Sequence, residues 1–349
     1  MPWNFPYARG AAVAATLGAA LAAMTTSALC QTIIKYSPWL PPAYVLNEPV
    51  LKPWMAEVEK VTEGRVKIEW LPKAVGSAAA QFDVVRDGLA DMSIILPGYT
   101  PGRFPVMEMG ELPLLTDDPA VLSPIFERIY QKHLDKLQPF KGTHLLTIWA
   151  STPTQIVTTK GIIKEKSELT GLKMRAPSKT AVEEMEALGI VPVQKPVSEM
   201  YELASSGIVD GTFFPLSPIV DWKVENIIKY VTKVRGGMGQ SVLAILINDA
   251  KWQSIDEKDR EAIMAISGEK LSRAVGEEYA RGEDRARETL LAAGVTIEDA
   301  SPALQGQIEE ALAAVDKSWV KVAQSKGLND AQAVLDEFRA ELNKAAVQH

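Results

Sequence analysis

Apolar positions in the first third of the folded chain switch between two periods. Ile33-Ile34-Lys35-Tyr36-Ser37 reads as a strand that runs into the loop Pro38-Trp39-Leu40-Pro41-Pro42. From about Asn47, Val50, Trp54, Val58 and Val61 recur at helical spacing, and Gly64 is the natural stop. Arg65-Val66-Lys67-Ile68-Glu69-Trp70 alternates strictly, as a half-buried strand does. Phe82, Val85 and Leu89 mark one face of the next helix, and Met92 to Leu96 is an unbroken apolar strand. Strands and helices in turn predict βα units around a largely parallel sheet.

The second part repeats the theme. His144 to Trp149 reads as a strand, and Gly171-Leu172-Lys173-Met174-Arg175-Ala176-Pro177-Ser178 as a short strand that Pro177 halts. Val182, Met185 and Leu188 share a helix face ending at Gly189, and Val191-Pro192-Val193 is a short edge strand. Ser198 is placed to cap a helix running to Ser206, and Ile208 to Phe214 and Ser241 to Ile247 are further strands. Gly88-Leu89-Ala90-Asp91-Met92-Ser93-Ile94 is echoed by Gly207-Ile208-Val209-Asp210-Gly211-Thr212-Phe213, 119 residues later (207 − 88). The echo suits two domains on one plan, and 349 residues exceed one ordinary core. Beyond the capping box Ser254-Ile255-Asp256-Glu257 a helical pattern continues to Gly294. It fits one helix lying across both domains, or two broken near Gly268 or Gly276. Ser301-Pro302 starts a further helix, and Asn329 or Asp330 caps another.

The first 30 residues are of another kind. Arg9 is followed by the uncharged run Ala11 to Met24 and then by small and polar residues, the order of a secretory signal peptide. Cleavage is expected after Ala28 or after Cys30. Cys30 is the one cysteine, so a chain cut after it has no disulfide, thiol nucleophile or cysteine-bound metal. Without Arg9 the balance is 36 basic against 44 acidic residues, a net charge of −8. That excess, with no basic run, speaks against nucleic acid and anionic membrane. An exported protein of a bacterial periplasm is expected.

Candidate chemistry is sparse. His133, His144 and His349 have no carboxylate or second histidine at ligand spacing, and Asp117-Asp118 before Pro119 fits a helix cap. No catalytic residue and no metal site is assigned. Arg175 stands out. It sits at the carboxyl end of a predicted strand, where open α/β sheets place their ligands. Its fork offers two parallel, charge-assisted hydrogen bonds to a carboxylate. The competing reading is an interdomain salt bridge or a surface strand end.

Several phrases, in order and behind the leader, resemble one family. They are Glu63-Gly64-Arg65-Val66-Lys67-Ile68-Glu69, Gly88-Leu89-Ala90-Asp91, Leu112-Pro113-Leu114-Leu115, Leu169 to Pro177, Val209-Asp210-Gly211, and Asn248-Asp249-Ala250-Lys251-Trp252. Together they look like the periplasmic solute-binding subunit of a TRAP (tripartite ATP-independent periplasmic) transporter. The resemblance implies an α/β periplasmic binding protein fold of two domains, joined by hinge strands and spanned by a long helix. On that plan domain I takes residues 31–156 and about 240–278, and domain II takes 157–239 and about 279–349. It implies no cofactor, and a carboxylate ligand held by the arginine of the GLK-x-R-x-P phrase, here Arg175. A membrane permease is the transient partner, and a monomer is expected.

The chain departs from the sialate-binding members of that family. Phe214 stands before Pro215 where they have asparagine, and Val197 replaces an aromatic residue. Ser178 replaces an asparagine, and Leu96-Pro97-Gly98-Tyr99 lacks an acidic residue. A sugar acid therefore loses its partners. Trp39, Tyr99, Phe213, Phe214 and Trp222 lie near strand ends. Alternation sends Phe213 and Phe214 to opposite faces, with Phe214 favoured for the cleft. Ser178 and Thr159 are the candidate polar contacts. The expected ligand is a small monocarboxylate, either an aromatic acid or a 2-oxo or 2-hydroxy acid. The alternatives are a C4-dicarboxylate, service to an ATP-driven importer, or a periplasmic enzyme.

Overall fold

The computed structural model describes residues 1–3 and 31–346. The uncharged run and cleavage positions of the expected signal peptide, with Arg9 and Cys30, lie outside the described residues.

The strands in chain order are β1 (Thr32–Ser37), β2 (Val66–Trp70), β3 (Met92–Ile95), β4 (Thr143–Ala150), β5 (Gln155–Thr158) and β6 (Lys173–Ala176). They continue as β7 (Val191–Gln194), β8 (Gly211–Phe214), β9 (Tyr230–Lys233), β10 (Val242–Asn248) and β11 (Thr296–Asp299). They form two sheets, ordered β2-β1-β3-β10-β4 and β11-β9-β5-β8-β6-β7. Each contains a parallel trio, β2-β1-β3 in one and β8-β6-β7 in the other. The sheets are nevertheless mixed rather than largely parallel. β10 enters the first sheet from the second and β5 enters the second from the first, and both pair antiparallel with their neighbours. A chain that crosses between sheets without a crossover helix has no means of returning parallel.

The echoed phrases are structurally equivalent. Gly88 and Gly207 both have positive φ, 72° and 70°. The carboxylates that follow do the same work: Asp91 accepts the Lys35 N–H at 2.8 Å and Asp210 accepts the Lys173 N–H at 3.0 Å. Each ties the start of a strand to its parallel neighbour, so the two units share a βα plan.

The helices are α1 (Lys52–Val61), α2 (Gln81–Arg86), α3 (Pro119–Ile129), α4 (Lys179–Ala187), α5 (Met200–Ser205) and α6 (Leu216–Asp221). Then come α7 (Asp249–Gln253), α8 (Glu257–Met264), α9 (Gly268–Ala292), α10 (Pro302–Leu312), α11 (Val315–Ser325) and α12 (Ala331–Ala346). Leu89 does not face the core. α2 ends before Gly88 and leaves Leu89 68% exposed. Ser198 caps nothing, because a 3₁₀ turn over Val197–Glu199 leads into α5 without a side-chain cap.

The helical pattern after Ser254 breaks at Gly268, whose φ is 51°. α9, about 37 Å long at 1.5 Å per residue, then runs from one unit to the other. Leu271, Val275 and Tyr279 are buried with the first sheet, and Ala286 and Leu290 with the second. Gly276, the other candidate break, is a packing position. A Cβ there would sit 2.3 Å from the Pro119 carbonyl oxygen at the start of α3. The last helix, α12, lies against the first unit. Phe338 of α12 packs on Phe126 of α3, ring centres 5.9 Å apart, and Arg128 pairs with Glu341 at 2.8 Å. The apolar face of α12 finds its cover there, on α3.

Two segments connect the units, Ser151–Thr154 and Val234–Ser241. They are bonded to each other: Ser151 N–H donates to the Ser241 carbonyl at 2.8 Å, and Met238 N–H to the Thr154 carbonyl at 2.8 Å. This paired connection lies beside the cavity described next.

Candidate functional site

Arg175 is the third residue of β6, and its side chain is turned inward, 1% exposed. One edge of the fork is fixed, with Nε donating to the Lys195 carbonyl just beyond β7 at 2.7 Å. Its own carbonyl accepts the Thr212 hydroxyl of β8 at 2.9 Å. The guanidinium carbon stands 5.9 Å from the centre of the Phe214 ring, a cation–π contact. Nη2 is buried without a hydrogen-bond partner among the described residues. Burial drives the pKa down, and Tyr99 and then Glu199 oppose it. An arginine keeps its proton in a protein, so a charged donor is left facing inward.

Tyr99, in the loop after β3, comes from the first unit and meets Arg175 from the second. Its hydroxyl accepts the Val197 N–H at 3.0 Å and lies beside the guanidinium. Burial raises its pKa, and Arg175 pulls the other way. The phenol therefore keeps its hydrogen, and that hydrogen has no acceptor among the described residues. Trp39 sets its ring edge-on to Tyr99, centres 5.9 Å apart, and is anchored by Nε1 donating to the Ile94 carbonyl at 2.7 Å.

These groups line one cavity between the units. Trp39, Tyr99, Phe214 and Trp222 form aromatic walls, with Leu40, Leu96, Val197 and Leu243 between them. Among the described residues Arg175 is the one charged residue of the lining. Phe213 also borders the cavity but is fully buried and packs into the main core with Ile156, its partner across β5, while Phe214 clusters with Trp39, Tyr99 and Trp222.

Two expected contacts fall elsewhere. Ser178 is not a lining residue. Its hydroxyl caps α4 by accepting the Ala181 N–H at 3.3 Å, and its Cβ packs on Gly98, where an added Cβ would approach to 2.7 Å. Thr159 lies past the end of β5, where its hydroxyl donates to the Asp210 carbonyl at 3.2 Å. Lys160 beside it pairs with the Asp210 carboxylate at 3.2 Å.

The sequence reading missed the polar end of the cavity. Tyr44 and Tyr279 line it, with Ser151, Thr152 and Thr154 from the first connecting segment. Ser151 donates to the Thr152 carbonyl at 2.9 Å and Thr154 to the Met238 carbonyl at 2.6 Å, while Thr152 donates to Glu283 at 3.2 Å. Glu283 of α9 also accepts the Leu216 and Ser217 N–H groups at 2.9 Å each, so it holds the start of α6 against the connection. The run Ser151-Thr152-Pro153-Thr154 between two apolar strands was the available signal. Tyr279 lies one turn beyond Val275 on the buried face of α9, where helical spacing gives no sign of a polar role.

The chain matches the family model DctP, bacterial extracellular solute-binding protein family 7, over residues 39–323. It is 34% identical to a TRAP periplasmic solute-binding protein of Bordetella bronchiseptica solved with bound (R)- and (S)-mandelate. The likeness covers 90% of this chain and 99% of that one, with a TM-score of 0.86. A TRAP solute-binding protein of Rhodoferax ferrireducens, solved with copurified benzoate, is 28% identical over 91% of this chain and 99% of its own, with a TM-score of 0.84. The outer membrane transporter protein TsaT of Comamonas testosteroni is 27% identical over 303 residues, 86% of this chain and 89% of that protein.

Proposed function

The chain belongs to the DctP family of bacterial extracellular solute-binding proteins and is a TRAP solute-binding subunit; we propose that it captures an aromatic or 2-hydroxy/2-oxo monocarboxylic acid in the cavity around Arg175. The observation that carries this reading is the buried Nη2 of Arg175, a charged donor without a partner in a cavity walled by aromatic rings. A carboxylate supplies the missing acceptor. It takes Nη2 and the free hydrogen of Tyr99 together, and the apolar body of the acid lies against Trp39, Phe214 and Trp222. Because Arg175 is the one charged lining residue, a second carboxylate finds no cation, which argues against a C4-dicarboxylate. The two similar proteins solved with mandelate and benzoate support the same class.

Tyr99 and Arg175 come from different units, so a carboxylate that touches both favours the arrangement in which the units meet. The ligand shifts that population by its differential affinity for the two arrangements. In this reading the mature chain is a periplasmic monomer that hands its acid to the membrane permease, and no step of catalysis is involved.

A thermal-shift panel of carboxylic acids on the mature protein tests the proposal. An acid at a hundredfold excess over its Kd adds about 2.7 kcal/mol of stability. Aromatic monocarboxylates are expected to raise the Tm of the wild type and to leave Arg175→Ala unmoved. A shift with dicarboxylates alone would overturn the aromatic assignment. Equal shifts in wild type and Arg175→Ala would remove the arginine from the site.

A further inference from the structure

Within the lining of the same cavity two phenols meet. Tyr44 Oη and Tyr279 Oη are 2.6 Å apart, and Trp149 Nε1 donates to Tyr279 Oη at 3.3 Å. Two phenols carry two hydrogens, and one of them lies in the bond between the oxygens. The other has no acceptor among the described residues, whichever phenol holds it. Trp149 cannot take it, because an indole nitrogen only donates. Asp221, whose charge acts on both phenols, forms no hydrogen bond to either, although its own Oδ2 is buried without a partner. Burial pushes Tyr279 up to about 12 and Tyr44 well above its ordinary value, so both hydrogens are present at neutral pH. Both residues are buried and line the same cavity as Arg175. A buried donor without an acceptor is costly in a rigid core, but it is suited to a ligand oxygen.

We propose that the Tyr44–Tyr279 pair is a second polar subsite, whose free O–H donates to a hydroxyl or keto oxygen carried by the aromatic acid. This rests on the reading of Arg175 as the carboxylate anchor. It narrows the ligand from aromatic monocarboxylates in general to those bearing a further oxygen, on the ring or on the carbon next to the carboxylate.

Calorimetric titration with two matched pairs tests it: benzoate with 3-hydroxybenzoate, and phenylacetate with mandelate. The wild type is expected to bind the oxygenated member of one pair about tenfold more tightly. The pair that shows the preference tells ring oxygen from side-chain oxygen. The double variant Tyr44→Phe/Tyr279→Phe should erase the preference by weakening the oxygenated acid about tenfold more than its parent, while each single variant keeps one free O–H and part of the preference, with melting curves recorded first to establish folding. Equal affinities within both pairs in the wild type overturn the inference. So does a preference that survives the double variant, or a loss that falls equally on parent and oxygenated acids. If the wild type binds none of the four, the arginine–carboxylate reading itself fails; binding that Arg175→Ala abolishes while the preference is absent leaves that reading standing and removes only the tyrosine subsite.

Discussion

Two buried polar places lie where the units meet, and they are opposite in kind. Around Arg175 the groups without partners are donors, Nη2 and the Tyr99 hydrogen, and they border a cavity. Around Glu184 they are acceptors. Both Glu184 oxygens, one oxygen of Glu111 and the Gln240 Oε1 are buried without a hydrogen-bond partner. Here there is little room. Glu184 is fully buried, and a Cβ on Gly239 would lie 2.9 Å from its Oε1 and 2.4 Å from the Glu111 carbonyl. Among the described residues no group of His, Cys, Asp or Glu is arranged to hold a metal ion. Burial pushes Glu111 up to about 8, with Glu108 adding to it, and pushes Glu184 well above the usual carboxylate range, with Glu111 adding to it. A carboxylate can relieve its burial by taking a proton, and a guanidinium has no such escape. The same anomaly therefore has two meanings. Orphaned acceptors in a packed interface take up protons, and the proposed role of the orphaned donors at the cavity is to bind an anion.

Removing the side chain breaks the comparison most sharply on the donor side. Arg175→Met should abolish acid binding, a loss of about a thousandfold for one partner of a buried charged pair. The same change removes an unpaired buried charge, so the ligand-free protein should melt about 2–5 °C higher. Differential scanning calorimetry with and without acid reads both effects. A lower ligand-free Tm would mean that Arg175 serves the fold.

The acceptor side should show itself in pH. Glu111 and Glu184 hold protons in the folded chain to higher pH than the ordinary value of 4.5 allows in the unfolded chain. Between that value and about 8 for Glu111 the folded state binds more protons, so stability is full below the window and falls as pH rises through it. The Tm should drop about 5–10 °C from pH 5 to pH 8, and Glu184→Gln should remove a large part of that drop. A Tm that does not fall over this range, or an equal fall in the variant, would contradict the assignment.

The smallest expected effect concerns the wall. Phe214→Asn should weaken aromatic acids about tenfold, through lost ring contact, and short aliphatic acids much less. Equal losses in the two sets, measured by competition, would take Phe214 out of the ligand's surroundings.

How legible these places were follows from sequence distance. β6 and its arginine could be read because the strand, the charge and Pro177 are adjacent. Phe213 and Phe214 could be separated because alternation along one strand puts them on opposite faces, and the family resemblance chose Phe214 for the cleft. The two units showed in the echo of Gly88–Ile94 at Gly207–Phe213, because the Asp–N–H tie is local to each copy. Tyr44 and Tyr279, however, are 235 residues apart and meet through α9, so no local pattern joins them. Nothing in Val182-Glu183-Glu184-Met185 marks Glu184 as buried, and the connecting segment at Gly239 lies over it. Ser178 was expected in the site from the family position it occupies and Thr159 from the segment leading to Arg175, whereas the Ser178 hydroxyl caps α4 and the Thr159 hydroxyl bonds at the strand end.

The measurement that bears most directly on the central claim is a calorimetric titration of wild type and Arg175→Lys with the acid that stabilises the protein best. Lysine keeps the positive charge and loses the planar fork. Affinity is expected to fall about a hundredfold, with the ligand-free melting curve little changed. An unchanged Kd in Arg175→Lys would contradict it, because a point charge would then suffice where a two-pronged carboxylate anchor is claimed.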